Sequence, residues 1–440
     1  MSTVEIEIDA DQLIGRLASL GPDDAVSILD SGGVRHLGSH YLIAGISPVS
    51  VEEVSSDDPA ETLEKLDRAV SSSDEAAVFT ISYEFGSKLL GIGNSHQDLA
   101  EPDAYIARYD ALVIHDYDTG KTSISGNPGK IDDIAKRLMS TSTAAIPEAS
   151  AGHTIVSSNF SRPQYLDAIE TIKENIRCGD TYQTNLTQRL TVDLPAGVSP
   201  DGIFRRLRRD NPSPFSAFIR RVGTTVISGS PERFFSVDPK NGRITTSPIK
   251  GTRPRGTDAA ADAELRRELL SSAKDRAENT MIVDLLRNDL GRVCEYGSVS
   301  VEKLCELEQH PTLFHLVSTV TGNLRSGTRF SDILRALFPC GSITGAPKIS
   351  TMKIIREIEP EHRGLSMGAI GYYVPDGLFG MPSRLDLSVA IRTLVIDGDT
   401  ATFNVGGGVV IDSDPASEYD ETLTKARALL SALGARLDLS

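Results

Sequence analysis

Strand and helix signals follow one another along this chain in mixed order, with no repeated strand–helix–strand unit and no GxGxxG turn. That order argues against a doubly wound parallel sheet and predicts an α+β protein. Residues 1–138 alternate short apolar runs (AVSILD, YLIAGISPV, AAVFTISYEF, ALVIHDY) with Gly, Asp and Ser breaks, a strand-rich pattern. Residues 139–159 are small and polar without periodicity, and predict a loop between this N-terminal region and a core over 160–440. In the core, Tyr165, Ile169, Ile172 and Ile176 recur at helical spacing, with Pro163 in the first turn and Gly179 as the stop. Strands are expected at YQTNLTQRLTV, FSAFIR, TTVISGS, RFFSV and RITTS, then helices near 260–271 and 276–289. GLSMGAIGYYV, SVAIRTLVI and ATFNVGGGVVI predict three further strands, and 415–433 a closing helix. A chain of 440 residues is too long for one ordinary core, so two lobes or one large composite domain are expected.

Bulk properties narrow the function. A net charge of −16 disfavours nucleic acid as a partner, because phosphate binding needs a basic surface. No stretch approaches the roughly 20 apolar residues that span a bilayer. The start, MSTVEIEIDADQ, lacks the apolar core of a signal peptide, so a cytoplasmic protein is expected. Cys178, Cys294, Cys305 and Cys340 form no CxxC pair and no histidine cluster accompanies them, so they are expected to be reduced, buried thiols. A GxSxG or GxCxG nucleophile elbow is also missing.

Four stretches carry residues suited to chemistry. On the closing helix, Glu418, Glu421 and Lys425 share one face, while Tyr419, Leu423, Ala426, Leu430 and Leu433 form a core stripe. Alone, that charged face fits a solvated surface with a Glu–Lys pair. Upstream, however, Gly406, Gly407 and Gly408 let a strand backbone pass close to a ligand. In AENTMIVDLLRNDLGRV, Glu278 continues the apolar face of Ile282 and Leu285. An acid there needs an arginine partner or a cation. Together with Glu418 and Glu421 it would make an all-oxygen set suited to Mg2+. In FPCGSITGAPKISTMKIIREIEP, Thr344 precedes a helix with Pro347 near its start and Pro360 past its end. That position suits an anion or simple capping. In SPERFF and TTSPIKGTRPRG, a hairpin would bring Glu232 and Lys250 to one pocket, or leave Lys250 at an exposed tip. A lysine amine becomes a nucleophile when burial or a cationic neighbour favours its neutral form.

Taken in order, SPERF, PIKGTRPRG, AENTMIVDLLRNDLGRV, FPCGSITGAPK, GAIGYY and GGGVVIDSDPASEYDETLTKA resemble the motifs of the chorismate-utilising enzymes over about residues 160–435. The family includes anthranilate, aminodeoxychorismate, isochorismate and salicylate synthases. The resemblance implies two large β-sheets packed as a sandwich and flanked by helices, the fold of anthranilate synthase component I. It implies Mg2+ held by Glu278 and Glu421, with Glu418 close by through water. It places chorismate's carboxylates at Gly408, Lys425, Arg392, Thr344 and the Gly251–Thr252 backbone, His315 near the ring substituents, and Glu232 as the acid that protonates the departing 4-hydroxyl.

Two positions separate the family's reactions. Gln183 stands where water-adding members carry an activating lysine, and a glutamine is no base. Lys250 in PIKGT is characteristic of aminodeoxychorismate synthases, where anthranilate synthases have PIAGT. The resemblance then implies that Lys250 attacks C2 and expels the 4-hydroxyl, after which ammonia attacks C4 and expels the lysine. The product is 4-amino-4-deoxychorismate, which a separate lyase would carry on to 4-aminobenzoate, a folate precursor. With no glutaminase motif in the chain, a separate glutamine amidotransferase subunit is implied. The alternatives are a 2-amino product, as in anthranilate or 2-amino-2-deoxyisochorismate synthesis, or a non-catalytic chorismate-binding regulatory subunit. Ser366 stands where relatives often have an aromatic residue, so that contact is expected to be missing or replaced by Tyr372 or Tyr373.

Overall fold

Two antiparallel sheets, of 12 and 10 strands, pack as a sandwich with helices outside them. A computed structural model describes residues 2–35, 40–93, 101–142, 146, 155–195, 197–310 and 313–436. Burial on both faces explains the unbroken apolar runs. In strand Ala76–Ile81, Ala76 and Val78 pack between the sheets against Ile43, Leu112 and Ile219. The alternate residues Ala77, Phe79 and Ile81 turn outward to Leu63, Leu66 and Phe330. Helices Ala10–Ala18, Pro128–Ser140, Pro200–Asp210 and Pro415–Leu433 cover the outside of the 12-stranded sheet. Helices Pro59–Ala69, Ala273–Gly291 and Phe330–Leu337 cover the other. Among the described residues no helix is long and apolar enough to cross a membrane.

Strands from the first third pair directly with much later ones. Ser27–Asp30 lies beside Phe215–Arg220, and Ala369–Val374 sits between Ala76–Ile81 and Arg384–Val389. Both sheets therefore draw on residues from each side of 139–159. Most of that stretch lies outside the described residues. At its ends, helix Pro128–Ser140 runs into it and strand Val156–Ser158 joins Gln183–Asp193.

The structure departs from the sequence pattern in several places. SVAIRTLVI is two strands, Arg384–Val389 in one sheet and Thr393–Asp397 in the other. The chain crosses between them, with Arg392 at φ +48°, a left-handed conformation uncommon for a long side chain. Both halves are buried, so the apolar run hides the break. Strands Ser300–Gln309 and Leu313–Asn323 form a long hairpin that the sequence pattern missed, because two register shifts and the left-handed Cys305 spoil the alternation of the first. Cys178 is exposed at the end of its helix, whereas the other three cysteines are buried as expected.

Arg233 and Asp386, from adjacent strands, make two 2.9 Å hydrogen bonds, with side chains 1% and 2% exposed. The guanidinium lies 5.2 Å from the Phe215 ring of the other sheet. Asp386→Ala leaves that buried cation without its partner. It is expected to lower the unfolding free energy by about 3–5 kcal/mol, measured by urea denaturation. A loss under about 1 kcal/mol, the worth of an exposed pair, would show that the pair contributes no more than a surface contact.

Candidate active site

A cavity of about 690 Å³ is lined from both sheets and from the helices that carry the acidic residues. One wall is the glycine strand Thr400–Val409. Its inner edge pairs along its whole length with Gln183–Asp193, but its outer edge meets Thr393–Asp397 only as far as Thr402. Beyond that point the backbone has a free edge. Lys425 Nζ donates to the Gly406 carbonyl at 2.9 Å. N–H and C=O of one residue in an antiparallel strand point the same way, so Gly406 and Gly408 both turn their backbone groups to this free edge. A side chain at Gly408 would displace the Gln183 amide, since its Cβ would stand 2.1 Å from Gln183 Nε2.

Lys250 stands on a bulge rather than at a hairpin tip. Strands Arg243–Ser247 and Ile249–Pro254 pair with the same partner, Leu313–Asn323, and the register slips between Ile249 and Thr252. Gly251 takes φ +84° there, and a Cβ on it would meet Leu269 at 2.9 Å. A bulge re-aims its side chains. Here Lys250 lines the cavity and donates to the Ser342 carbonyl at 3.3 Å. Glu232 lines the same cavity at 4% exposure, with Oε1 unpartnered. Burial raises its carboxyl above the usual range, against the opposing pull of Ser342 and Lys250, so the site favours its protonated form.

The acidic residues meet across two helices. Glu278 lies on Ala273–Gly291, Glu418 and Glu421 on Pro415–Leu433. Glu418 Oε2, Lys425 Nζ and Glu421 Oε1 converge on the bare face of Gly407, at 3.2, 3.7 and 4.0 Å from where a Cβ would stand. Lys274, which the sequence pattern did not single out, reaches between the helices. Its Nζ is 3.4 Å from Glu418 and 3.9 Å from Glu278. Burial opposes the Lys274 charge, yet Glu418 and Glu278 hold its pKa above the usual value. Glu278 is also raised, by burial, because Lys250 and the distant Lys274 only partly offset it. Burial pushes Glu421 the same way, but Lys425 beside it at 2.8 Å brings it below the usual range. Among the described residues no three acidic, histidine or cysteine side chains stand close enough to form a ready metal site. The donor set is nonetheless all oxygen, Glu278 Oε1 has no hydrogen-bond partner, and an ammonium already bridges two of the carboxylates.

Arg392 lines the cavity, and burial lowers its pKa. His315 is pushed down to about 3 by burial, with Arg392 and His310 adding to the shift, so its ring is neutral at physiological pH. Its Nδ1 is 2.9 Å from the Thr252 hydroxyl. Gly251, Thr252, Gly408 and Lys425 also line the cavity, whereas Gln183 and Thr344 lie behind its wall. Thr344 is fully buried and gives its hydroxyl to the Cys340 carbonyl at 3.0 Å. Its neighbours Ser342 and Ile343 line the cavity instead. Cys340 is inert, its thiol pushed up to about 12 chiefly by burial. At the Ser366 position the hydroxyl accepts from the Asn404 N–H at 3.1 Å. Neither Tyr372 nor Tyr373 lines the cavity; Tyr372 packs between the sheets and Tyr373 donates to the Ser72 carbonyl.

A model of the chorismate binding enzyme family matches residues 32–431. The chain belongs to that family. Among its relatives, an anthranilate synthase component 1 of Haloarcula marismortui is 39% identical over 389 residues, 83% of this chain and 78% of that protein. An aminodeoxychorismate synthase component 1 of Escherichia coli is 38% identical over 403 residues, 88% of this chain and 85% of that protein. The crystal structure of anthranilate synthase component I from Streptococcus pneumoniae superposes with a TM-score of 0.78 at 29% identity, over 90% of this chain and 93% of that one. This chorismate binding enzyme thus has relatives of similar identity under two different names, anthranilate synthase and aminodeoxychorismate synthase component 1. Lys274 was accessible from the sequence as the i,i+4 partner of Glu278. Asn185, a further cavity residue, was accessible as the position two after Gln183 on one strand face.

Proposed function

We propose that this chain is the chorismate-aminating component of a cytoplasmic aminodeoxychorismate synthase. It would convert chorismate and ammonia to 4-amino-4-deoxychorismate, with the ammonia delivered by a separate glutamine amidotransferase. The observation that carries the proposal is Lys250 on its bulge, facing the same cavity as the buried acid Glu232. The Lys250 amine, having given up a proton, would form a bond to C2 as both conjugated ring double bonds shift and the C4–O bond breaks. Glu232 would supply the proton that lets the 4-hydroxyl leave as water, and burial, which raises its pKa, favours that role. Ammonia then bonds to C4, both double bonds shift back, and the C2–N bond breaks, the lysine nitrogen leaving with the proton that the new amine gives up. Arg392 and Lys425, which line the cavity, would balance the substrate's two carboxylates. Glu278 and Glu421, with Glu418 near, would hold Mg2+. When bound, it would neutralise a substrate carboxylate and favour loss of the hydroxyl.

The test is chromatography of the product from chorismate, Mg2+ and ammonium, with and without an added aminodeoxychorismate lyase. The expected product is 4-amino-4-deoxychorismate, convertible to 4-aminobenzoate, formed with ammonium but not with glutamine. Anthranilate or 2-amino-2-deoxyisochorismate would place the chain with its other group of relatives. A folded protein that binds chorismate without turning it over would be the regulatory subunit.

A further inference from the structure

We propose that Asn185 is a substrate-binding residue whose side-chain amide donates a hydrogen bond to a carboxylate oxygen of bound chorismate. Asn185 lies on strand Gln183–Asp193, lines the cavity and is 7% exposed. Its Nδ2 is buried and has no hydrogen-bond partner. A buried donor left unpaired destabilises the protein unless something arrives to accept from it. The backbone gives it little freedom to find a partner by moving. Its N–H donates to the Thr344 carbonyl at 2.8 Å, and its carbonyl accepts from Arg363 Nη2 at 2.7 Å. Arg363 is itself fixed by Glu359, at 2.8 and 2.7 Å.

The chemistry of the ligand follows from the surroundings. Among the described residues, four of the cavity's lining side chains have a buried polar atom without a partner. Three of those atoms are oxygens, Glu232 Oε1, Glu278 Oε1 and Asn404 Oδ1; Asn185 Nδ2 is the one donor. It therefore calls for an acceptor. Asn185 stands directly opposite Gly408 in the register, in the cavity that Arg392 and Lys425 also line. A carboxylate oxygen is the acceptor that Arg392 and Lys425 would bring to it.

The proposal rests on chorismate as the ligand of the cavity, so wild type is titrated first, with chorismate and Mg2+ and without ammonia. A wild-type protein that binds no chorismate overturns that premise, and the role of Asn185 with it. Given wild-type binding, Asn185→Leu, of similar size and without the donor, separates a functional from a structural role. Its ligand-free thermal midpoint should equal or exceed that of wild type, because the unpaired N–H is gone. Its chorismate Kd should rise roughly 10–100-fold, the worth of a hydrogen bond to a charged group. Asn185→Asp should lose more, because a carboxylate then faces a carboxylate. A folded Leu variant that binds chorismate within twofold of wild type overturns the proposal. Should that variant fail to fold, Asn185→Asp decides by the same twofold criterion.

Discussion

Lys250→Ala is expected to lower formation of 4-amino-4-deoxychorismate by more than about 10³-fold, the scale on which loss of a covalent nucleophile acts. The fold should survive, because Lys250 makes one 3.3 Å hydrogen bond and the bulge is set by Gly251 and the register of its partner strand. With the amine gone, ammonia can only attack the allylic system directly, so residual product should carry nitrogen at C2. Lys250 also pulls down the carboxyls of Glu232, Glu278 and Glu421, so alanine removes a charge as well as a nucleophile. Lys250→Arg separates the two, since a guanidinium keeps the charge and stays protonated. Recovery of near wild-type 4-amino product in the arginine variant would show the lysine to be an electrostatic residue only. Wild type held with chorismate but no ammonia should gain mass on the peptide that contains Lys250.

Glu278→Gln and Glu421→Gln are each expected to abolish turnover and Mg2+-dependent chorismate binding. Mg2+ affinity should fall by at least the roughly 10–100-fold that loss of an outer-shell partner costs, read by calorimetry on ligand-free protein. Glu278→Gln should remain folded, because burial already disfavours the Glu278 charge and glutamine fills the same space. An unchanged Mg2+ response in either variant would remove that residue from the metal site.

Local signals announce their elements well where the ends are chemically marked. Helix Arg162–Cys178 is legible because Ser161 and Gln164 cap each other and Gly179 takes φ +84°. Helix Pro415–Leu433 is legible for the same reason, between Asp414 and Gly434. The crossing at Arg392 was not legible, since a chain passing from one buried strand to another keeps its apolar composition. In the site, composition and spacing nominated side chains but not their directions. Thr344 and Lys250 each sit by a proline turn, yet one hydroxyl is spent on a carbonyl behind the wall and one amine faces the cavity. That difference comes from a bulge and a register, which are properties of paired strands. Lys274 and Asn185 were missed for a related reason. Each matters through what stands opposite it, on another helix or on the neighbouring strand.

The pairing of early strands with late ones bears on how the chain is made. Ala76–Ile81 finds a neighbour in Ala369–Val374, and Gln183–Asp193 waits for Thr400–Val409. A ribosome emitting the protein in order therefore exposes strands whose partners have yet to be synthesised, for roughly 10 s or more at 5–20 residues per second. Contacts so far apart in sequence also close slowly. The nascent chain should thus be a client for chaperones until its last strands emerge, and a nonsense codon anywhere before the glycine strand should yield aggregate rather than a shortened sandwich.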